Sequence, residues 1–283
     1  MDNEKNTSYE SIRFNIDEIL AEKMPNRKLP KCIVRYLKRI IQQDELNRFM
    51  GEYDRTRNFE FIAGIHKFFN VSTSVYGTEN LPHGGRYIFA SNHPLGGFDG
   101  VSLAYYIGNQ YDGKVKIYAN DILMFVKPLQ GIFIPINKTG MVGRGSAEAT
   151  NEFLATDNHL ITFPAGKCSR KTHGKIIDDQ WKKNVIAKSV QFERDIVPVY
   201  FQGRNSNFFY NLANLRKFLG IKANIEMLYL ADEFVKQRGK HHAIYFGEPI
   251  SYRTFDKHKT QTQWAQWLKD RVYEIESEFC AKS

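Results

Sequence analysis

Cysteine is scarce: 283 residues hold three, Cys32, Cys168 and Cys280, far apart and never spaced as C-x-x-C. That argues against a disulfide framework or a cysteine-built zinc site and suits a reducing compartment. Long apolar runs are missing as well. No stretch approaches the roughly 20 residues needed to cross a bilayer, and the opening MDNEKNTSYES has no apolar centre of the kind a secretory signal needs. His159, His173, His241 and His242, even with Asp178 or Asp179, fit no metal-ligand spacing. No G-x-S-x-G nucleophile turn occurs, since GRGSA at 143–147 does not match it. Internal repeats and low-complexity tracts are also lacking.

What the chain does have is enough apolar and aromatic material, 42% and 14%, for one sizeable core. Lys and Arg outnumber Asp and Glu by 40 to 31, giving a net charge of +9 and a pI near 9.3. Such a balance favours anionic partners, whether nucleic acid, acidic headgroups or acidic small molecules. A nucleic-acid binder should carry an RNP-like or helix-turn-helix signature, and none is present, so no nucleic-acid partner is expected.

The pattern along the chain divides near residue 70. Residues 1–70 read as a helical extension, and residues 71–283 as the main domain. In LPKCIVRYLKRIIQQ, Leu29, Ile33, Leu37, Ile40 and Ile41 share a stripe, with Lys31, Arg35, Lys38 and Arg39 mostly off it. This basic amphipathic helix suits a membrane interface or, more plainly, a helix packed on its own domain. Further helices are expected over 58–69, 99–107, 146–155, 182–193 and 260–280. Strands are expected over 71–77, 86–91, 114–119, 131–136, 159–163, 195–201, 224–230 and 242–247. Strands alternating with helices predict an α/β fold: a mixed, largely parallel sheet covered by helices on both faces. The segment 208–222 puts Phe208, Leu212, Leu215 and Leu219 on one face, either against the core or towards a membrane or acyl chain. His66, His83 and His258 read as surface residues.

Active sites of open α/β sheets collect in loops past the carboxyl ends of strands, and three such loops stand out. SNHPLGGFDG (91–100) offers His93 as a base and Asp99 to orient it. The plainer alternative is that Asp99 merely caps a helix and His93 is an ordinary loop residue. INKTGMVGRGS (136–146) sets Asn137, Lys138 and Arg144 among backbone amides at a helix start, as an anion seat or as a glycine-rich turn. FPAGKCSRKTHGK (163–175) concentrates Lys167, Arg170, Lys171 and Lys175 beside Gly166 and Ser169, for a phosphate or carboxylate or simply as a solvated basic loop. Without a nucleophile elbow, direct attack by a substrate hydroxyl is more natural than a covalent enzyme intermediate.

In order, these loops resemble the blocks of the PlsC-type glycerolipid acyltransferase family. Asn92, His93 and Asp99 resemble NH-x-x-x-x-D, GIFIPINK resembles G-x-x-F-[IV]-x-R, FPAGKCSR resembles FPEGTRS, and Val197-Pro198-Val199 resembles V-P-[VI]. The likeness covers roughly residues 75–250. It implies that His93 deprotonates an acceptor hydroxyl, oriented by Asp99, and that the hydroxyl attacks an acyl-ACP or acyl-CoA thioester. It also implies that Asn137, Lys138, Gly166 and Arg170 hold the acceptor headgroup, with no cofactor or metal; Arg144 and Ser169, read from the same two loops, are expected to join them. Pro94 to Phe98 make the His–Asp spacing one residue longer than the family form, a stretch that Gly96 and Gly97 could absorb at positive φ. Lys138 stands for the family's Arg after an inserted Pro135, and Ala165 for its Glu. The H-P-L-G-G-x-D form is similar to the branch acting on lyso-amino-acid lipids such as lyso-ornithine or lyso-glycine lipids, sometimes labelled hemolysin-like. The resemblance thus implies a peripheral enzyme on the cytoplasmic face of an anionic membrane, acylating a lyso-lipid. The altered spacing and Ala165 would equally suit a lipid-binding relic of the fold.

Overall fold

The computed structural model describes residues 13–26, 29–120, 123–136 and 144–282. Four helices open the chain: α1 (Ile16–Lys23), α2 (Lys31–Ile40), α3 (Gln43–Glu52) and α4 (Asn58–Phe68). There follow β1 (Ser72–Tyr76), β2 (Tyr87–Ser91), α5 (Phe98–Gln110), β3 (Val115–Asn120), β4 (Phe133–Ile136), α6 (Arg144–Leu154) and β5 (His159–Thr162). The last part holds a hairpin of β6 (Arg170–Thr172) and β7 (Lys175–Ile177), then α7 (Asn184–Gln191), β8 (Asp195–Gln202), α8 (Asn207–Phe218), α9 (Leu230–Val235), β9 (His241–Phe246) and α10 (Gln261–Lys282).

Seven strands form one sheet in the order β1-β9-β8-β2-β5-β3-β4, parallel except where β9 runs against β8. Period-two alternation sends neighbouring residues to opposite cores. Phe89, Ile161, Val197, Val199 and Phe201 meet α4 and α5, while Ile88, Ala90, Leu160 and Ile196 meet α7 and α10 through Val185, Ile186, Leu268 and Val272. The expected two-sided α/β architecture is therefore present. Phe49 of α3 and Phe61, Ile62 and Ile65 of α4 belong to the same core as α5, so these two helices pack as part of the main body. Pro135 falls on the edge strand β4, where a missing N–H is harmless.

Three expectations need correction. Residues 224–230 are not a strand: Ile225–Tyr229 form a 3₁₀ turn running into α9, with Glu226 fully buried among arginines. A short apolar run does not by itself separate the two conformations. The polar loop after β5 contains the β6–β7 hairpin. His66 is half-buried, stacked on Phe98 at 5.5 Å and hydrogen-bonded to the Ser102 hydroxyl at 3.0 Å, not a surface residue.

Candidate active site

His93 lies just past the carboxyl end of β2, between β5 and β8. The chain turns there because Asn92 takes over from the ladder: its Oδ1 accepts from the Phe201 amide at 2.7 Å and its Nδ2 donates to the Phe201 carbonyl at 3.0 Å. That side chain extends the β2–β8 pairing by one residue and frees the backbone at His93 to leave the sheet. Gly96 then adopts φ +76°, and a Cβ there would come within 2.9 Å of Cys168 Cβ and Leu230 Cδ2. Gly96 thus takes the positive φ suggested by the longer spacing, whereas Gly97, at φ −173°, is simply extended.

The loop delivers Asp99 to His93. The carboxylate is fully buried, and its Oδ2 stands 2.9 Å from His93 Nδ1. Backbone amides of Leu95, Gly96, Gly97 and Gly100 complete its shell at 2.9–3.3 Å. Burial raises the acid's pKa, but the imidazole and the amides outweigh it and hold Asp99 below the ordinary carboxylate range. An ionised carboxylate only accepts, so Nδ1 carries the hydrogen and Nε2 is left with the lone pair. Asp99 is not the helix cap weighed from the sequence, since α5 begins at Phe98 with Gly97 at the N-cap; its carboxylate instead gathers the loop amides and holds the histidine. The His93 ring stacks on Phe163, centroids 3.9 Å apart, which fixes its plane.

A second buried carboxylate, Asp178, considered from the sequence only as a metal ligand, secures the backbone of His93. Asp178 Oδ1 accepts from the His93 amide at 3.3 Å and the Ser169 hydroxyl at 2.6 Å, and Oδ2 accepts from Trp181 Nε1 at 2.9 Å. The Asp178 backbone is tied to α10, its amide donating to the Tyr273 hydroxyl at 2.8 Å and its carbonyl accepting from Lys269 at 2.6 Å. Ser169 N also donates to His93 O at 2.7 Å. Only the i,i+4 spacing of Lys269 and Tyr273 on one face of α10 hinted at this arrangement.

Ser169 and Arg170 are therefore committed to internal partners, Ser169 in the wall of the site and Arg170 beneath it. Arg170 is only 2% exposed; it donates to Glu226 at 2.8 Å and to the Cys168 carbonyl at 2.6 Å, and lies over the Phe209 ring. Arg216 shares Glu226 at 2.8 Å, so one buried carboxylate joins β6, α8 and the 3₁₀ turn. The guanidinium expected at an acceptor headgroup is spent on an internal ion pair. Gly166, by contrast, is exposed at φ +70°, close enough to Lys182 that a Cβ would lie 2.8 Å from Nζ. Lys167 pairs with Asp179. Asn137, Lys138 and the glycines up to 143 lie outside the described residues, and Arg144 opens α6.

The Cys168 thiol is buried beside the loop, and burial, outweighing the nearby Arg170, pushes its pKa up to about 11. It holds its proton near neutrality and is a poor nucleophile. His159 sits on β5, His173 in the hairpin turn and the adjacent His241 and His242 on β9, three different parts of the fold. A cleft of about 240 Å³ opens beside the His93 loop, between Pro94, Ser169 and Ile176 on one side and Tyr200, Gln202 and Arg204 on the other. A larger concavity of about 710 Å³ lies at the amino-terminal ends of the strands, lined by residues such as His83, Arg86, Lys114, His159 and Asp195. Neither of its histidines is hydrogen-bonded to a carboxylate as His93 is to Asp99.

A hydrogen-bonded imidazole at the carboxyl edge of this sheet has the chemistry to take a proton from a hydroxyl. The family model described as Acyltransferase matches residues 18–281. The chain belongs to the acyltransferase family. As an acyltransferase it is 49% identical over 264 residues to a lyso-glycine lipid O-acyltransferase of Bacteroides thetaiotaomicron, covering 93% of this chain and 97% of that one. It is 47% identical, with 93% and 95% covered, to a protein of the same name from Phocaeicola vulgatus. The crystal structure of the 1-acyl-sn-glycerophosphate acyltransferase PlsC from Thermotoga maritima aligns with 92% of this chain and 88% of its own, at a TM-score of 0.48 and 16% identity. Among the described residues, no helix is long and apolar enough to cross a membrane.

Proposed function

We propose that this acyltransferase moves a fatty acyl group from acyl-ACP or acyl-CoA to the hydroxyl of a lyso-lipid, working from the cytoplasmic face of a membrane. The near-50% identity to two enzymes named for lyso-glycine lipid supports a lyso-amino-acid lipid as acceptor. The observation that carries the mechanism is the His93 Nδ1–Asp99 contact of 2.9 Å, which turns Nε2 into the base.

Nε2 takes the proton as the acceptor oxygen attacks the thioester carbonyl carbon. The C–O ester bond forms, the C–S bond breaks, and His93 returns the proton to the departing thiolate. Asp99 stabilises the imidazolium throughout, and its burial makes that attraction stronger than it would be in water. Asn137, Lys138, Arg144 and Gly166 seat the acceptor headgroup, with the exposed Lys182 beside Gly166 as a further cation. Ser169 and Arg170 act as positioning residues under the loop.

Purified protein incubated with acyl-ACP or acyl-CoA and a panel of lyso-lipids tests the reading. The expected outcome is one O-acylated product by mass spectrometry and one free thiol per ester formed. Thiol release without acylated lipid, or no product with any acceptor, would refute it.

A further inference from the structure

Ten large apolar side chains are exposed among the described residues, and they are not scattered. Six of them, Phe208, Leu215, Phe218, Leu219, Ile221 and Leu228, fall between α8 and the 3₁₀ turn, and two more, Ile33 and Tyr36, are on α2. The fold brings these segments together: the Tyr36 and Tyr229 hydroxyls are hydrogen-bonded, and the Phe208 ring packs edge-on against Tyr229 at 5.0 Å. Gln42, just past α2, donates to Asp232 of α9 at 2.6 Å.

The orientation of α8 is the telling feature. Its stripe Phe208, Leu215, Leu219 turns outward, while Phe209, Tyr210, Ala213 and Arg216 face the protein. Phe218 is 87% exposed. A contiguous outward apolar face of this kind marks an interaction surface. Cations dominate its rim: Lys31, Arg35 and Arg39 on α2 and Lys217 and Lys222 beside α8 are exposed, and neither Asn207–Ile225 nor Lys31–Ile41 contains an acidic residue. The carboxylates beside it are already engaged, Asp17 with Lys38 and Asp179 with Lys167. Apolar wedges ringed mainly by cations complement an anionic lipid surface.

We propose that this α2–α8 face docks the enzyme on an anionic bilayer, Phe218 and Leu219 entering the acyl region while the flanking lysines and arginines meet lipid phosphates. The inference rests on the reading of the acceptor as a lipid. It has a structural consequence. The inner side of the same segment braces the catalytic loop, through Leu230 against Gly96, Phe234 against Phe98 at 4.8 Å and Glu226 on Arg170. The membrane-facing surface of α8 and the 3₁₀ turn thus runs directly into α9, the wall of the His93 loop.

Vesicle flotation tests this, with phosphatidylcholine alone and with added phosphatidylglycerol. Wild type should float with the anionic vesicles and lose binding in high salt. Phe218→Asp/Leu219→Asp should lower the bound fraction at least about tenfold, whereas Val190→Asp, an exposed site on α7, should float as wild type. Equal flotation of wild type and double variant, or no flotation of wild type, would overturn the proposal. So would a wild-type dimer, seen by light scattering, that the double variant makes monomeric without either floating. A second arm uses detergent-dispersed substrate, on which the double variant should match the wild-type rate; parallel loss there would place the face in the site and not in docking. If wild type transfers nothing in detergent, the acyl-transfer reading fails, and flotation still decides the docking surface on its own.

Discussion

At His93 the imidazole is constrained from two sides, by Asp99 at Nδ1 and by the Phe163 ring against its face. The backbone beneath it is held by Asp178 and Ser169. Orientation by an ionised partner is what the account asks of Asp99, so Asp99→Asn is the sharpest change of shape-preserving kind. An amide can donate to Nδ1 and stabilise the tautomer with hydrogen on Nε2, where no lone pair remains for the hydroxyl proton. We expect kcat to fall on the order of 10²–10⁴-fold with KM nearly unchanged in steady-state assays. A loss confined to KM would contradict an orienting role. His93, Asp99 and the need for a flexible Gly96 were legible from a short motif, because all three act within one loop. Arg170 was not legible in the same way. Whether a basic side chain meets solvent or a buried carboxylate depends on Glu226, 56 residues away in the chain.

The elements that bear strict alternation and β-branched residues were readable: the strands expected over 71–77, 86–91, 114–119, 131–136, 159–163, 195–201 and 242–247 all form within the sheet. Residues 224–230 failed as a strand because Glu226 is pulled between Arg170 and Arg216, a tertiary demand that overrides local preference. The stripe on α8 was legible, but its direction stayed open between core and membrane, since an amphipathic helix in isolation does not say which solvent its apolar face meets. At this scale the tightest constraint is the turn between β2 and α5. Gly96→Ala requires both a left-handed backbone for a β-carbon residue and displacement of Cys168 and Leu230. The expected cost is about 1–3 kcal/mol in chemical denaturation, together with a loss of kcat from a displaced His93. A variant as stable as wild type would show that the loop relaxes freely.

For the whole molecule, stability should depend on pH through three histidines. His66, His159 and His242 are each held at about 4 against an ordinary 6.5, burial being the main cause in all three. The unfolded chain takes up these protons near pH 6.5 and the folded chain only near pH 4, so between those values the unfolded state binds more protons. Their contribution is fully present above about pH 6.5 and is lost as pH falls towards 4, on the order of 2–3 kcal/mol for each histidine. Asp178, raised by burial, works in the opposite sense at the acid end, one group against three. Thermal melts should show Tm falling by at least about 5 °C from neutral pH to about pH 5; a flat profile would contradict the burial of these rings.

The proposed mechanism rests on the imidazole at the end of β2, held at Nδ1 by Asp99, acting as the base. The most direct test of that claim compares wild type with His93→Ala for acyl transfer from thioester to lyso-lipid, both proteins first shown to have the same thermal stability. The account predicts that the variant loses on the order of 10²–10⁴-fold in rate while wild type forms the ester, and transfer at equal rates by the two proteins would contradict it.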